Sequence, residues 1–492
     1  MSAQRRRNAG LTGEANNPIF KTGEVNSGFR AFEGGMRMKK ARRVGVFLAF
    51  LICPSLLGAQ WARTYGGKGN ETAVCVQQTP EGGFIIAGEI ADWDWSESSI
   101  LAVKLSSSGT IIWQKALDML PNTESGGSFV QTTRDNGFIL TGWGYYGGPR
   151  MNLLAWKLGS FGQNRWQTHI IDPDMHYYTG QEGRAIQQTI DGGYVFTGYQ
   201  RCLDSQHKTR TADDLLVCKS DSLGVKIWGC LFGGEGIDHG HSIQQTRDGG
   251  FVVAGYTNSF GAGDYDFWVL KLTSAGQLEW SSTLGGKNRD EAREVRQTAD
   301  GGYIVIGHTE SFGAGNSDIW LLKLNGWGRI QWQKTYGGPR ADYGHSVYPT
   351  VDGGFIVAGE TSSFGSGGVD AWIFKLDSKG AIQWEKTYGG AKNDGVFSVR
   401  PLRGSGYIAA GQTSSFGAGG FDVLVMKLGT NGNIDASCGS FVRKSKATVL
   451  PGKGSAQLET GGSAISSSSG LWGSPGVPQI VTKCGNTVIC KK

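Results

Sequence analysis

Proline, long apolar runs and recognisable catalytic motifs are scarce in this sequence. Only 12 of its 492 residues are proline, against 80 glycines, and these follow no Gly-X-Y period, which excludes a collagen-like chain. Residues 60–492 hold no nucleophile motif, phosphate-binding loop or metal-ligand spacing, so motifs predict neither a reaction nor a cofactor. What the chain has instead is glycine with 16 tryptophans and 22 phenylalanines, a composition that favours many short strands joined by tight turns.

The middle of the chain has no net positive charge, although the whole chain carries a net charge of +6. The first 59 residues hold ten Lys and Arg against three Glu, and residues 436–492 hold seven against one. The central region is therefore mildly acidic. Nucleic-acid binding needs clustered cations with stacking aromatics, so this class of function is excluded for the central region.

One apolar run stands out near the start of the chain. Residues 38–59 begin with a cluster of Lys and Arg, continue through the apolar segment 44–57 and end at Gly58-Ala59, which is the form of a signal peptide. The run is short for a membrane span, and no other stretch approaches that length. We therefore predict an N-terminal extension and signal peptide over residues 1–59, with Met36 or Met38 as the true start. We expect a secreted or periplasmic mature chain without a transmembrane segment.

Self-similarity at a fixed spacing is the strongest signal in the sequence. Seven tryptophans follow one another at steps of 52, 53, 62, 52, 52 and 52 residues. They are Trp61, Trp113, Trp166, Trp228, Trp280, Trp332 and Trp384. A repeat of this length indicates a modular architecture. A tryptophan in every unit is expected to pack between adjacent sheets rather than to form a binding track.

Each unit contains four candidate strands separated by glycine turns. In the unit of Trp332 they are 330–336, 344–350, 355–360 and 370–376, and Asp352-Gly353-Gly354 joins the second to the third. Four antiparallel strands per unit predict an all-β fold of β-propeller blades. The last unit lacks its tryptophan strand and the first has a spare one. The N-terminal strand is therefore predicted to complete the last blade and to close a seven-bladed ring over residues 60–435.

The turn Asp377-Ser378-Lys379-Gly380, followed four residues later by Trp384, resembles the tryptophan-docking repeat of quinoprotein-type propellers. Whole units resemble the uncharacterised exported β-propeller repeat proteins of bacteria and archaea that carry Asp-Gly-Gly-Tyr and Trp-x-Lys-Thr-Tyr-Gly-Gly signatures. The resemblance covers residues 60–435 and implies a propeller, export and no agreed activity. The quinone-using enzymes have one more residue in this turn and an adjacent cysteine pair beside the cofactor. The sequence has neither, so we expect no cofactor.

The third unit differs from the others on one face of the predicted disc. Because the chain reverses with each strand, the Asp-Gly-Gly and Asp-Ser-Lys-Gly turns share a tight-turn face and the long glycine-rich loops share a long-loop face. On the long-loop face the third unit is five residues longer in each of two segments, 169–180 and 200–213. Loops on a rigid scaffold carry function, so these segments form the candidate site; drift in an unused loop is the alternative.

Side chains of these two segments suit a carbohydrate or peptide ligand, because aromatic rings stack and arginine and carboxylates fix polar groups. The candidate binding residues are Asp172, Asp174, His176, Tyr177, Tyr178, Arg201, Asp204 and His207. The spacing within 172–176 follows no metal-site rule, so no metal is predicted.

Acidic residues and lysines also repeat from blade to blade. The two acidic series are Glu71, Asp238, Asp290, Asp342 and Asp394, and Asp214, Asp266, Asp318, Asp370 and Asp422. A catalytic pair is needed only once, so we interpret both series as acceptors for backbone N–H groups of the glycine-rich loops. Lysines recur in all seven third strands, from Lys104 to Lys427, and any partner must lie on a neighbouring strand.

The tail over residues 436–492 is rich in Gly and Ser and predicts a flexible extension. Seven cysteines lie outside the leader: Cys75, Cys202, Cys218, Cys230, Cys438, Cys484 and Cys490. Cys484 and Cys490 are expected to close a small disulfide loop, with Cys438 as the alternative partner. The other cysteines are interpreted as small buried apolar residues.

These observations favour an exported, monomeric binding or scaffold module that recognises a carbohydrate or an extracellular protein through the long-loop face. A secreted glycoside hydrolase, or another polysaccharide-active enzyme that uses carboxylates of that face, is the alternative. The near-identical blades show little sign of one differentiated catalytic centre, which favours binding over catalysis.

Overall fold

Seven antiparallel sheets form the ring of a β-propeller, as the repeat predicts. The computed structural model describes residues 48–51, 60–92, 98–117, 124–145, 151–169, 180–203, 210–434, 442–443, 448–451 and 481–485. All of them belong to one unit, Val46–Lys492. Strands and turns account for these described ranges, which contain no helix.

Each blade has four strands, and in blades I to VI the first of them in sequence is the innermost. Blade I contains β3 (Asn70–Gln78), β4 (Phe84–Ala91), β5 (Ser98–Leu105) and β6 (Ile111–Leu117). Blade II contains β7 (Ser125–Thr132), β8 (Phe138–Tyr145), β9 (Met151–Leu158) and β10 (Asn164–His169). Blade III contains β11 (Gln181–Gln188), β12 (Tyr194–Leu203), β13 (Arg210–Ser220) and β14 (Lys226–Gly233). Blade IV contains β15 (Asp238–Gln245), β16 (Phe251–Thr257), β17 (Asp266–Leu272) and β18 (Leu278–Leu284).

The remaining blades follow the same order. Blade V contains β19 (Asp290–Gln297), β20 (Tyr303–Thr309), β21 (Asp318–Leu324) and β22 (Ile330–Gly337). Blade VI contains β23 (Asp342–Pro349), β24 (Phe355–Thr361), β25 (Asp370–Leu376) and β26 (Ile382–Tyr388). Blade VII contains β27 (Asp394–Pro401), β28 (Tyr407–Thr413), β29 (Asp422–Leu428) and the N-terminal β2 (Trp61–Gly66).

The N-terminal strand closes the ring. Strand β2 pairs antiparallel with β29, and this register sets Trp61 opposite Lys427 and Tyr65 opposite Val423. The prediction that the spare first strand completes the last blade is confirmed. Both ends of the repeat are therefore held in one sheet, which removes an open edge between the first and last blades.

Four further strands extend the outer edges of some blades. Strand β1 (Leu48–Leu51) pairs with β2, and three strands of the tail segment pair with the outer strands of other blades. These are β30 (Val442–Arg443) on β26, β31 (Thr448–Pro451) on β22 and β32 (Val481–Gly485) on β14. Such additions cover otherwise unpaired N–H and C=O groups at sheet edges.

The apolar core lies between blades rather than at the centre of the disc. Seven buried clusters each draw side chains from two neighbouring blades. The middle strands are consequently buried on both faces, and β17, β21 and β25 are buried along their whole lengths. A strand covered on both faces takes a continuous apolar run, as in 319–322, instead of strict alternation.

Each repeat tryptophan joins its blade to the next. Trp61 contacts the turn glycine Gly109 of blade I, its Nε1 donates to the Ser107 carbonyl over 3.3 Å, and its ring meets Phe84 edge-on at 5.9 Å. The same edge-on or tilted arrangement recurs round the ring. Its other pairs are Trp113–Phe138, Trp166–Tyr194, Trp228–Phe251, Trp280–Tyr303, Trp332–Phe355 and Trp384–Tyr407.

The repeated lysines of the third strands hold the tight turns. Lys375 Nζ lies 2.9 Å from Asp352 of the Asp-Gly-Gly turn in its own blade, and the same pair forms at Lys323 and Asp300 over 2.9 Å. In blade I, Lys104 uses Glu81 instead. The aspartates are half exposed, so these ion pairs fix turn geometry more than they add stability.

Replacing Gly328 by alanine is expected to destabilise the ring by about 2–4 kcal/mol, because overpacking adds to the cost of a left-handed backbone. Gly328 has φ +75°, and a Cβ there would lie 2.6 Å from Trp280 Cζ3. Gly353→Ala is the matched control, since Gly353 has φ +79° with nothing within 4 Å of the added carbon. It should cost about 1 kcal/mol. Urea unfolding measures both, and equal losses would show that the tryptophan contact contributes nothing.

The tail is expected to be held to blade III by a disulfide. Cys230 is disulfide-bonded, and the residue opposite it in the pairing of β14 with β32 is Cys484. Peptide mapping without reduction should recover a 230–484 linkage, with the buried thiol of Cys75 alkylated only after unfolding. Recovery of Cys484 linked to Cys490 or to Cys438 would contradict this assignment.

Candidate functional site

Blade III carries the two insertions that the sequence identifies, and its middle strands extend beyond those of its neighbours. Strands β12 and β13 have 10 and 11 residues, whereas β16 and β17 have 7 each. Their pairing continues to Leu203 opposite Arg210. Parts of the segment 200–213, predicted as loop, are therefore strand, and the insertion lengthens a hairpin at the long-loop face.

Seven of the predicted binding residues lie outside the described residues: Asp172, Asp174, His176, Tyr177, Tyr178, Asp204 and His207. The other, Arg201, is half-buried on β12. Its backbone N–H donates to the Gly180 carbonyl over 2.8 Å, and it stands opposite Asp213 in the ladder. The described end of the 200–213 segment thus lies beside the start of β11, the inner strand of blade III.

Every inner strand contains a β-bulge near its first end. The register shifts by one residue at the equivalent place in all seven blades. The bulged residues are half-buried, and members from successive blades touch, as Arg293 Nη1 does at 3.2 Å from His241 Nδ1. A bulge re-aims a side chain, here toward the propeller axis. This axial ring consists of Val74, Ser128, Arg184, His241, Arg293, His345 and Phe397.

The axial ring is polar on one side and largely apolar on the other. Blades III to VI contribute Arg184, His241, Arg293 and His345 in succession, whereas blades VII, I and II contribute Phe397, Val74 and Ser128. The edge of Phe397 meets His345 at 5.0 Å between ring centroids, where the two halves join. Blades that are otherwise near-copies therefore present one polar and one largely apolar wall to the axis.

A second layer of polar residues surrounds the polar half, on the long-loop side of the ring. It comprises Glu182, His239, Glu291 and Tyr343 on inner strands, their ladder partners Tyr199, Tyr256, His308 and Glu360, and Asp213. Together with the four polar ring residues they form the axial cluster. Tyr199 donates to Glu182 over 2.6 Å, and Arg293 donates to Glu291 over 2.7 Å. The second layer thus holds the ring residues in place.

His239 links the insertion to this cluster. Its Nε2 lies 2.9 Å from Asp213 Oδ2, Tyr256 Oη lies 2.7 Å from its Nδ1, and its ring stacks on Tyr199 at 3.7 Å. Burial lowers the pKa of His239 despite the neighbouring Asp213 carboxylate. A neutral imidazole with these partners donates from Nε2 to Asp213 and accepts the tyrosine proton at Nδ1.

Burial keeps other imidazoles of the cluster neutral as well. Burial, with the charge of Arg293, lowers the pKa of His308 to about 2. Burial and the charges of Arg293 and Arg184 lower the pKa of His241 well below 6.5. At neutral pH the positive charge facing the axis therefore belongs to the guanidinium groups.

Some polar atoms of the cluster have no hydrogen-bond partner within the described part of the chain. They are Arg184 Nε, Arg293 Nε, His308 Nδ1 and His345 Nε2. Of these residues His308 is 5% exposed. Buried polar atoms are nearly always paired, so four unbonded ones in one cluster make it a candidate place for a ligand, although His345 Nε2 also lies 3.5 Å from Glu360 Oε2.

On the tight-turn side the axis is occupied by a buried ion network. Arg400 of blade VII donates to Glu294 of blade V over 2.8 Å, and Ser346 of blade VI donates to the same carboxylate over 2.8 Å. Arg400 also lies over the Tyr348 ring at 5.4 Å. Glu294 and Arg400 are both buried. The axial cluster therefore faces the long-loop side.

Sequence reasoning selected the insertions and missed the axis. The signal was nevertheless present: in five of the seven units the ring residue stands thirteen positions after the repeat tryptophan, as His241 follows Trp228. That column varies among Val, His, Arg and Phe while its flanks repeat. The bulge that directs these side chains inward leaves no mark in hydrophobic periodicity, so the column alone did not indicate a site.

The repeated carboxylates of the long-loop face have a structural role, as their repetition predicts. Asp266 Oδ2 accepts the N–H groups of Ala262 at 2.9 Å and Gly263 at 3.3 Å. Asp290 Oδ2 accepts the N–H of Gly286 at 2.8 Å. Equivalent bonds recur in other blades. The described ranges contain no group of three or more His, Cys, Asp or Glu suited to a metal ion.

Comparisons with known proteins assign this chain to no family. No protein-family profile matches the chain, and no curated protein matches it. It is similar to a protein of unknown function from Dyadobacter fermentans at 11% identity, over 73% of this chain and 96% of that one, with a TM-score of 0.40. It is also similar to a eukaryotic initiation factor (10% identity, 66% and 90% covered, TM-score 0.29). A third structure is the WD40 domain of SCAP from fission yeast (6% identity, 77% and 97% covered, TM-score 0.18).

Within the described residues no helix has the length and apolarity to cross a membrane.

Stability is expected to rise as the pH falls from 7 to about 5 and to fall below about pH 4. Burial raises the pKa of Asp266 and Asp318 to about 6, so the folded state takes up protons in that window before the unfolded state does. Burial opposes the shift of Asp191, Asp300 and Asp352, but hydrogen bonds from Lys and Thr lower their pKa to about 2. Protonating these three on acidification removes stability.

Urea unfolding across this pH range measures both arms. Asp318→Asn should flatten the arm between pH 7 and 5, and Asp352→Asn should flatten the arm below pH 4. A wild-type stability that declines steadily from pH 7 downward would contradict the expected maximum.

Proposed function

We propose that this protein is an exported binding module that recognises a carbohydrate through its long-loop face, at the axial cluster. A β-propeller is in general the fold of a binding or scaffold module. The observation that carries the proposal is the difference between the polar and the largely apolar half of the axial ring. A structural ring would repeat from blade to blade, as the tryptophans do, whereas a ring that recognises one asymmetric ligand must differ between blades.

The chemistry of the cluster suits a ring-shaped ligand rich in hydroxyl groups. Tyr343 and Phe397 are half-buried aromatics beside the axis, and aromatic faces pack against the C–H faces of sugars. Glu360, His345 and the arginines supply acceptors and donors around them. A concave site with aromatic walls and a few fixed polar groups is the usual form of a small-ligand pocket.

Export is supported by the cysteine chemistry together with the leader-like segment 38–59. Cys230 is disulfide-bonded, and disulfides persist in oxidising compartments. Carbohydrate recognition is also a task of the cell exterior, so the two parts of the proposal agree.

One observation favours a polysaccharide-active enzyme as a second candidate. Tyr256, His239 and Asp213 form a chain of two hydrogen bonds, and the end of this chain next to the axis is the tyrosine hydroxyl. A tyrosine hydroxyl hydrogen-bonded to a buried His–Asp pair has the connectivity of an acid–base relay. Burial raises the pKa of Tyr256 and lowers the pKa of His239, so a bound ligand would have to reverse that order for the proton to move. This candidate differs from the predicted glycoside hydrolase, because the chain of groups, not a pair of carboxylates, would move the proton.

A glycan-array screen with the full chain is expected to show binding that Tyr343→Ala weakens about tenfold, since one stacking aromatic contributes roughly 1 kcal/mol or more. Trp327→Ala is the matched control, because Trp327 is a 78% exposed aromatic in a turn of the opposite face. A double variant, Tyr177→Ala with Tyr178→Ala, tests whether the insertion also contacts the ligand.

Other results of that screen lead elsewhere. Shortening of a bound glycan by the wild type, abolished by Tyr256→Phe, would replace the binding module with the enzyme. Binding that survives Tyr343→Ala unchanged would remove the axial cluster from the proposal. The absence of any bound glycan would show the carbohydrate proposal to be wrong and leave a protein partner as the ligand class to test.

A further inference from the structure

Three donors of the axial cluster come from three consecutive blades and meet at one place. Arg184 of blade III and Arg293 of blade V flank His241 of blade IV, and Arg293 Nη1 donates to His241 Nδ1 over 3.2 Å. Because that nitrogen accepts, the neutral His241 carries its proton on Nε2. After burial, the charges of Arg293 and Arg184 are the next causes of the lowered His241 pKa, so both arginines act on this point.

The neighbouring carboxylates are already engaged. Glu182 accepts from Tyr199 at 2.6 Å and lies 2.7 Å from Arg184, and Glu291 lies 2.7 Å from Arg293. Both glutamates are buried, and their ion pairs with the arginines engage their oxygens. The guanidinium and imidazole N–H groups that these pairs leave unused are therefore the donors that a ligand on the axis can bind.

Each of the two guanidinium groups has an N–H donor that makes no hydrogen bond within the described residues. Arg184 Nε and Arg293 Nε have no hydrogen-bond partner among the described residues, although both atoms are buried. Leaving a charged donor buried and unpaired costs about 1–3 kcal/mol or more, so a guanidinium group that turns to direct this donor to a ligand acceptor would recover that cost. A planar carboxylate matches the fork of a guanidinium better than a hydroxyl group does.

A separate acceptor lies beside these donors. His308 is 5% exposed. Its Nε2 lies 3.9 Å from Glu291 Oε2, which is beyond hydrogen-bond distance, but the nearby carboxylate favours the tautomer with the imidazole proton on that side. Its Nδ1 is left as a buried acceptor with no partner in the described structure. An acceptor next to acid-binding donors suits a ligand that carries a hydroxyl group close to its acid group.

We propose that the axial cluster selects acidic sugars, with Arg184, His241 and Arg293 binding the carboxylate of a uronic acid residue and His308 accepting a hydroxyl proton. Phe397 and Tyr343 form the wall against which the sugar ring packs. This inference rests on the proposed carbohydrate function and names its ligand class. Free inorganic anions share the charge but lack the sugar ring.

Calorimetric titration of the full chain tests the inference with matched ligands. The ligands are oligosaccharides of galacturonate, glucuronate, mannuronate and guluronate, the methyl ester of each, neutral oligosaccharides of equal length, and inorganic phosphate. At least one acid should bind ten-fold or more tightly than its own ester. Arg293→Gln and Arg184→Gln should each weaken acid binding at least ten-fold and change ester binding less than two-fold.

Arg247→Gln is the control variant, because Arg247 is an exposed arginine of the tight-turn face that donates to the Ala299 carbonyl over 2.9 Å. It should bind the acid as the wild type does. If either cluster variant fails to fold, as judged by its melting temperature, the comparison of acid with ester on the wild type decides alone.

Each other result overturns a defined part of the argument. Equal affinity for acid and ester would refute acid selection and leave the carbohydrate function standing. Phosphate binding as tight as that of the best acid would show a site for inorganic anions rather than for an acidic sugar. If no oligosaccharide of any kind binds, the carbohydrate function fails as well.

Discussion

The packing of each outer-strand tryptophan on the turn glycine and first aromatic of the next blade is the contact on which the ring depends. Each core cluster draws on two blades, so no blade buries its own apolar faces. Burying a large aromatic contributes about 2–3 kcal/mol, and seven such contacts connect the blades in series. The pairing of β2 with β29 then joins the last blade to the first, and the stability of any blade becomes a property of the whole ring.

A uniform ring explains where variation is found. The turn aspartates pair with the third-strand lysines. The repeated aspartates of the long-loop face accept hydrogen bonds from the loop N–H groups. Most of the polar residues that repeat therefore have a structural role. The axial ring is less constrained, because a bulged residue leaves the ladder and, of the seven ring residues, Val74 is the one that packs against a described interblade core cluster. Side chains there can change without disturbing the interblade core. The succession of Arg184, His241, Arg293 and His345 occupies that permissive position.

The electrostatics of the axis follow from burial. Imidazoles removed from water lose their charge, while guanidinium groups keep theirs at any ordinary pH. Neutral His239 and His241 therefore act as fixed hydrogen-bonding groups between charged arginines and engaged carboxylates. Asp213 connects this arrangement to the insertion of blade III, so the segment with the unusual length and the column with the unusual composition belong to one region of the long-loop face.

The sequence by itself determined the ring. The tryptophan spacing, the Asp-Gly-Gly turns and the spare first strand predicted four-stranded blades, their number and their closure, because these depend on local turn chemistry and on a repeat that every unit shares. The structural role of the repeated carboxylates of the long-loop face followed from the same repetition. Only the tertiary structure decided the site: Arg184 and Arg293 are 109 positions apart in sequence and become neighbours of one histidine through the bulges and the curvature of the ring. Periodicity describes how a strand alternates between two faces, and it carries no information about a residue that a bulge turns toward the axis.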